Sequence, residues 1–572
     1  MWKSIRVNTK TGEITQSDLK EDYRLLGGRA LIAQFLTDEV SPVCDPLGPE
    51  NKLIFCTGVF AGTKVGTAHR MSVGAKSPLT GTIKESNSGG TGATYLAHHG
   101  IKMLVLDDMP DDNDWKIIKI DSKSNVSLVK AGDYVGLNNY AIVEKAQAEY
   151  GKNVSVIAIG SAGEKLYRNA GIAVTEFGEG HPCRFAARGG LGSLMGTRKI
   201  KAIIIEKVAK IYKPEIARSD DFKKQVSIFN KAIVEGSKTS PFAQFGTNAI
   251  VAASGPQGVL PVKNFNGEIF RNYEALSPTT FMANLAARGG KNKVACQAGC
   301  PVKCSNTYHG KDGNHLTSSF EYETIALCGA NLDIDDLDIV AEIDKFCDDF
   351  GVDTMEVGAT LGVIMDSGKI AWGDDKAVMG LLQEMADGTE FGRLMGKGTE
   401  AVGRHLGVKR IPTVKGQAIA GYDPRNCKSL GITYAMSTQG GDHTFSSSFG
   451  AAPPIIDNTN KFFQPYIAQL LAVLTAFVDS SLCLIALGAV GIPGAELLPG
   501  IMSAMYGIDF NMEDMKAYSA KVILLERAYN EAAGFTAEDD KLPDFFYEEV
   551  SKATGAVFDI SLEEMQATLR FT

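Results

Sequence analysis

The chain has 572 residues, with 58 Lys and Arg against 67 Asp and Glu, 44% hydrophobic residues and ten cysteines. At a prior of about 150 residues per domain this is a multidomain protein, and its sparse cysteines exclude a small disulfide scaffold. Ordinary apolar content excludes bulk disorder, and a net charge of −9 argues against nucleic acid as the main partner.

Short β-type runs bounded by Gly, Asp, Asn or Lys come first: Ser4–Val7, Leu53–Cys56, Met103–Leu106, Ile117–Ile120, Val154–Ile159 and Ala202–Ile205. Thr9 to Ile14 reads as a hairpin turn through Gly12. After Lys213-Pro214 the spacing turns helical, over Asp220–Val234, Asp335–Phe350, Thr354–Met365, Asp375–Met385 and Thr399–Leu406. Helical spacing returns at Met512–Ala532 and Asp544–Thr554. The fold class is therefore α+β and multidomain, a β-rich domain over 1–210 followed by mainly helical domains over 211–410 and 411–572. The apolar stretch Ile467–Ile492 carries Asp479, Ser480 and Ser481 mid-way. An Asp at bilayer centre costs about 2.5–3.5 kcal/mol, so the stretch reads as two buried helices broken near Asp479, with no membrane insertion. Met1–Val7 has no apolar run of export-signal length, which points to the cytoplasm.

Cys296, Cys300 and Cys304 fall in Ala-Cys-Gln-Ala-Gly-Cys-Pro-Val-Lys-Cys, where Gly299 and Pro301 oppose a regular helix. Such a loop can wrap its sulfurs round one object. An iron–sulfur cluster needs a fourth, distant thiolate, and Cys483 in the polar break after Asp479 stands out. A structural zinc site and three unligated thiols remain open on spacing alone. Gly189-Gly190-Leu191-Gly192 lacks the order of a dinucleotide fingerprint, so no nicotinamide site is expected.

Ordered motifs over nearly the whole chain carry a resemblance. They include Lys76-Ser77-Pro78-Leu79-Thr80-Gly81, Asn87-Ser88-Gly89-Gly90, Gly160-Ser161-Ala162-Gly163-Glu164 and Arg188-Gly189-Gly190-Leu191-Gly192. Glu321-Tyr322-Glu323-Thr324, Tyr422-Asp423-Pro424-Arg425 and Gly440-Gly441-Asp442-His443 follow. In these the chain resembles the aldehyde:ferredoxin oxidoreductase family of tungsten-pterin enzymes. The resemblance implies a β-rich pterin-binding base capped by two helical domains. It also implies tungsten or molybdenum between two pyranopterins, a [4Fe-4S] cluster and a magnesium ion.

By position, the resemblance makes Cys296, Cys300, Cys304 and Cys483 the cluster ligands and sets Arg70 between pterin and cluster. Asn87, Ser88 and Gly89 match one phosphate loop, and Arg184, Phe185, Ala187 and Arg188 the other; Asn87 and Phe185 offer backbone carbonyls to magnesium. Asp348 and Asp353 match one pterin motif, Asp479 and Leu484 its second copy, which is one residue short here and lacks the glycine. Gly351 also reads as a helix C-cap, and Asp353 with Glu356 as the next helix's N-cap. Glu323 and His443 match the catalytic pair, as proton acceptor and carbonyl donor. Lys345 replaces a histidine that binds an intersubunit metal in some members, so that metal is not expected, and Phe445 replaces a lysine. The implied reaction oxidises an aldehyde to a carboxylic acid, passing electrons to ferredoxin or an iron–sulfur partner subunit, in a homo-oligomer or a complex. Alternatives are the catalytic subunit of a low-potential reductase of the class II benzoyl-CoA reductase type, and a zinc-stabilised binding protein without turnover.

Overall fold

Successive residues of the central strands face opposite layers, and this alternation builds the N-terminal part. The structure is a computed structural model that describes residues 1–446 and 459–570. Up to Glu206 it forms two six-stranded sheets. The first comprises β1 (Lys3–Asn8), β2 (Ile14–Asp18), β3 (Leu53–Thr57), β4 (Met71–Lys76), β5 (Ile83–Ser88) and β6 (Ile101–Asp107), in the order β2-β1-β6-β3-β4-β5. The second comprises β7 (Lys116–Ile120), β8 (Val126–Lys130), β9 (Val154–Ala158), β10 (Ile172–Val174), β11 (Arg184–Ala186) and β12 (Ile200–Glu206), in the order β11-β10-β9-β12-β7-β8.

Leu53 and Phe55 of β3 enter a core shared by both sheets, which Ile118, Val156 and Ile203 fill from the other side. Ile54 and Cys56 point the opposite way, under the helix Gly28–Glu39. The expected hairpin is present: Val7 pairs with Ile14, Gly12 turns at φ +77°, and the Asn8 side chain accepts from the Lys10 and Thr11 amides. The strands β5 and β11 end their sheets and pack against one another, so the two sheets meet along a seam.

Beyond Glu206 the chain is mainly helical, the order that the sequence predicts. A third, small sheet joins β13 (Lys291–Val294), β14 (Ser305–His309) and β15 (His315–Ser318). The cysteine loop is the link between β13 and β14. Segments on both sides of residue 410 share one large core, from Val251 through Leu361 and Tyr434 to Phe558.

Two expectations need correction. The helix Gln464–Ser481 runs through Asp479 and breaks at Leu482-Cys483, before Leu484–Ala495, because the Cys483 amide leaves the helix to donate to Thr67 O. The expected helix Asp544–Thr554 is only Phe545–Glu548. Beyond it the Ser551 amide bonds Ala556 O and the Ser551 hydroxyl bonds Gly267 O, which holds the chain in a loop. No single helix among the described residues is long and apolar enough to cross a membrane; one pair, Leu484–Ala495 with Leu498–Tyr506, passes together but is bent by 87°.

The break lies against the first sheet. Val59 N donates to Ser480 O, and Ala30 N to the Ser480 hydroxyl. At Gly28, with φ +46°, a Cβ would fall 2.4 Å from the Asp479 carbonyl oxygen. Gly28→Ala should therefore cost about 1–3 kcal/mol through overpacking and strain. Urea unfolding checks this, and an unchanged midpoint would show that the contact is loose.

Candidate functional site

The site residues come from both sheets and from five later segments. Cys296, Cys300 and Cys304 are all buried, and so is Cys483, from the helix break. The loop Thr67–Arg70 ties the two regions together: the His69 amide donates to Gln297 Oε1 at 2.7 Å, Thr67 O accepts from Cys483 N at 3.1 Å, and Arg70 Nη1 stands 3.8 Å from Cys483 Sγ. The phosphate-loop candidate closes the other side, as the Gly90 amide donates to Cys296 O at 2.7 Å. A Cβ on Gly89 would sit 3.1 Å from that oxygen and 3.6 Å from Cys296 Sγ.

The four thiols feel one another. A hydrogen bond from Cys300 draws Cys296 down to about 6, with Arg184 and Arg70 adding attraction against the cost of burial. The same bond pushes Cys300 up, and burial pushes up Cys304 and Cys483. Yet no three His, Cys, Asp or Glu side chains among the described residues converge as a single metal ion requires.

Around the thiols lies a layer of buried charge. Arg70 donates to both the side-chain and main-chain oxygens of Asn87, so the Asn87 carbonyl expected to face magnesium serves Arg70 here. Phe185 lies on β11, beside β5 across the seam, and the Ser88 hydroxyl turns back on Gly89 O. Arg184 donates to the Ser305 and Ser319 hydroxyls and lies 3.7 Å from Glu176, while its buried Nε has no hydrogen-bond partner among the described residues. Ala187 follows β11, packed where a Cβ on Gly171 would lie 2.9 Å away. Arg188 joins two expected site residues into one group, reaching Asp353 at 3.2 Å and the carbonyls of Gly441 and Ala418.

Asp353 caps its helix through Met355 N, and Gly351, at φ +91°, ends the preceding one. Glu356 is not part of that cap: its carboxylate instead accepts from the amides of Thr399, at the start of the helix Thr399–Leu406, and of Ala418, pinning two segments distant in sequence. Asp348 differs from Asp353. It is buried, its Oδ2 has no hydrogen-bond partner among the described residues, and burial with the nearby Asp344 pushes its carboxyl well up. Burial, then Glu85, likewise raises Asp479. Unpartnered Asp348 Oδ2 and Arg184 Nε are the sort of orphans that a polar ligand satisfies, and with Gly89 they make the seam fit a phosphate-bearing pterin.

Glu323 lies in the first turn of the helix Tyr322–Cys328, and His443 in a short turn that Asp442 caps. His443 Nε2 is 3.5 Å from Glu323 Oε1, longer than a good hydrogen bond. Glu323 Oε2 accepts from the Gly421 amide at 2.7 Å, but its Oε1 and His443 Nδ1 have no hydrogen-bond partner among the described residues. Burial pushes the Glu323 carboxyl up, with His443, the Gly421 amide and Arg188 only partly offsetting it. His443 opens on a cavity of about 720 Å³, whose wall includes Tyr422 and Leu484. Leu484 thus borders this cavity, one residue beyond the Cys483 thiol.

Two family profiles match the chain: "Aldehyde ferredoxin oxidoreductase, N-terminal domain" over residues 4–207, and "Aldehyde ferredoxin oxidoreductase, domains 2 & 3" over 225–569. The chain belongs to the aldehyde ferredoxin oxidoreductase family. It is 30% identical to the tungsten-containing aldehyde ferredoxin oxidoreductases of Pyrococcus furiosus and Thermococcus kodakarensis, each alignment covering 95% of this chain and 91% of the relative. It is 26% identical to the "Aliphatic sulfonate oxidoreductase, WOR-like subunit" of Pyrococcus furiosus, over 95% of this chain and 88% of the relative. Its fold matches a chain of the active-site complex BamBC of benzoyl coenzyme A reductase with TM-score 0.79 and 16% identity, over 99% and 92% of the two chains. Membership makes the protein an oxidoreductase of the family.

This family member also uses residues that the sequence reading passed over. Lys84, fully buried on β5, donates to Asp442 at 2.7 Å, and so fixes the turn that presents His443. A lysine within an otherwise ordinary strand gives no sign of burial; only Asp442 beside His443 was a usable cue. Phe445, which stands in place of a lysine, receives a cation from elsewhere: the Arg29 guanidinium lies 5.2 Å over its ring while paired with Glu526. Lys345 sits over the Tyr140 ring.

Despite burial, Lys84, Arg188 and His443 hold Asp442 well below the usual carboxylate range. Its contribution to stability is therefore fully present above the ordinary carboxylate pKa and is lost only as pH falls below that range toward the depressed folded value. Lys84→Met should leave a buried carboxylate unpaired and cost about 3–5 kcal/mol at pH 7, with the deficit shrinking at acid pH. Denaturant titrations at pH 7 and pH 3 check both, and an equal loss at the two values would contradict the pairing.

Proposed function

We propose that the protein oxidises an aldehyde to a carboxylic acid on a tungsten or molybdenum bis-pyranopterin, with a [4Fe-4S] cluster on Cys296, Cys300, Cys304 and Cys483. The carrying observation is the Glu323–His443 pair, 3.5 Å apart with unsatisfied atoms among the described residues, of which His443 lines a cavity that Leu484, next to the buried Cys483, also borders. The overall change is RCHO + H₂O → RCOO⁻ + 3 H⁺ + 2 e⁻. When bound, the metal and cluster would supply two-electron redox chemistry at the substrate and a one-electron route outward.

Arg70, Asn87, Ser88, Gly89, Arg184, Phe185, Ala187 and Arg188 would hold the pterin phosphates and their magnesium. Asp348, Asp353 and Asp479 would meet the ring nitrogens, with the orphan Asp348 Oδ2 the strongest candidate. His443 donates a hydrogen bond to the aldehyde oxygen, which orients the carbonyl and increases its electrophilicity. Glu323 takes a proton from the water that adds to it; a carboxyl raised by burial is a better base once ionised. Electrons leave to ferredoxin or to a partner subunit. One relative is a WOR-like subunit and the matching fold belongs to the BamBC complex, which supports assembly with a second protein.

Protein purified without oxygen should contain about four irons and about one tungsten or molybdenum per chain by elemental analysis; zinc alone would overturn the reading. Cys304→Ser should lose the dithionite-bleachable cluster absorption. Glu323→Gln should lower kcat with a viologen acceptor by about 10²–10⁴-fold while iron content and spectrum stay intact. Because Glu323 acts ionised, wild-type kcat should rise with pH through its elevated pKa, and the Gln variant should lose that limb.

A further inference from the structure

We infer that the substrates carry a large apolar body, an aryl or medium-chain alkyl group, and are not one- or two-carbon aldehydes. The inference rests on the proposed aldehyde oxidation and adds the substrate class. The cavity that reaches His443 holds about 720 Å³, within the range of about 300–1,000 Å³ usual for drug-sized ligands. One wall is the helix Leu484–Ala495, which presents Leu484, Leu487 and Ala489. Phe242, Ile250 and Leu471 line it elsewhere.

Its polar side chains are few. His443 and Tyr422 stand together, ring centroids 6.0 Å apart, where the carbonyl would react; Ser237 and Lys238 are the others. No carboxylate lines it, and Lys238 is its one Lys or Arg among the described residues. A sugar phosphate or a coenzyme A thioester brings several charges that this wall cannot answer. A formaldehyde-sized substrate would leave most of the apolar wall in contact with water, and so draw no binding from it. An alkyl or aryl body displaces that water, with affinity growing about fourfold per buried methylene.

A second cavity, of about 580 Å³, borders the cysteine loop at Ala298 and Gly299, with Lys64, His98 and Lys207. Neither Glu323 nor His443 lines it, so it does not compete for this role.

Gly488 offers a direct test, because a Cβ there would meet only the Phe242 ring, at 4.0 Å. A leucine at that position projects into the chamber without striking backbone. The holoenzyme is titrated calorimetrically with inert carbonyl analogues, acetamide, butyramide, hexanamide and 4-phenylbutyramide, and separately assayed with the matching aldehydes and a viologen. Affinity should rise about fourfold per methylene, and kcat/KM should follow the same order. Gly488→Leu should cut the hexanal-to-acetaldehyde ratio of kcat/KM, and the matching amide affinity ratio, by at least tenfold. Amide affinity that ignores chain length, or a Gly488→Leu ratio unchanged within twofold, would overturn the inference whatever the turnover. Length-dependent amide binding with no aldehyde oxidised would uphold the chamber and sink the proposed reaction instead.

Discussion

Uncompensated charge in the interior is what this architecture has to avoid. Within one seam it buries the guanidinium groups of Arg184 and Arg188, the Lys84 ammonium and the carboxyls of Glu85, Asp348, Asp353, Asp442 and Asp479. An isolated ion taken from water costs several kcal/mol even after relaxation. The pairs Lys84–Asp442 and Arg188–Asp353 offset part of that cost. What they leave over is informative: Asp348 and Asp479 are pushed toward their neutral forms. The Nε of Arg184 and the Oδ2 of Asp348 remain unmatched among the described residues. Buried polar atoms left over at expected site residues leave a role for a polar guest.

The sheets make that room by ending. Strands β5 and β11 are edges, and an edge strand carries main-chain donors and acceptors with no ladder partner. Placing two edges side by side concentrates such groups, which is why Asn87–Gly89 and Arg184–Arg188, far apart in sequence, approach one region. The helical part supplies the closing face: the cysteine loop between β13 and β14, the Asp348–Asp353 turn, and the break after Ser481. Close backbone approach at Gly28 and Gly89 lets these parts meet without side chains between them.

Much of this was legible beforehand, because strong periodicity and quoted motifs survive folding. The helices Thr399–Leu406 and Met512–Ala532 stand where their spacing puts them, since apolar residues at helical intervals have only one way to face a core. The strands β4 and β5 were missed for different reasons: in Met71–Lys76 the apolar Met71, Val73 and Ala75 alternate with Ser72, Gly74 and Lys76 over too short and too weak a run, whereas Ile83–Ser88 has one apolar residue and no alternation, and the buried Lys76, Lys84 and Glu85 look like surface residues. Capping signals were half right. Asp353 caps as a short carboxylate before a helix should, whereas Glu356 is claimed by amides of Thr399 and Ala418, a tertiary demand with no local signature. The break after Asp479 was placed too early, because the Thr67 carbonyl that draws Cys483 out of the helix is remote in sequence.

Cys483 and Leu484 are adjacent, one turned to the thiol group and the other to the apolar chamber. Insertions or deletions in that stretch would disturb both at once, so drift in substrate preference across descendants of this chain has to fall on the chamber-lining side chains of the facing wall, such as Phe242, Ile250 and Ala253, whose segment holds no thiol. Sequence diversity among orthologues should accumulate there first, while the Ser481–Ile485 corner stays nearly frozen.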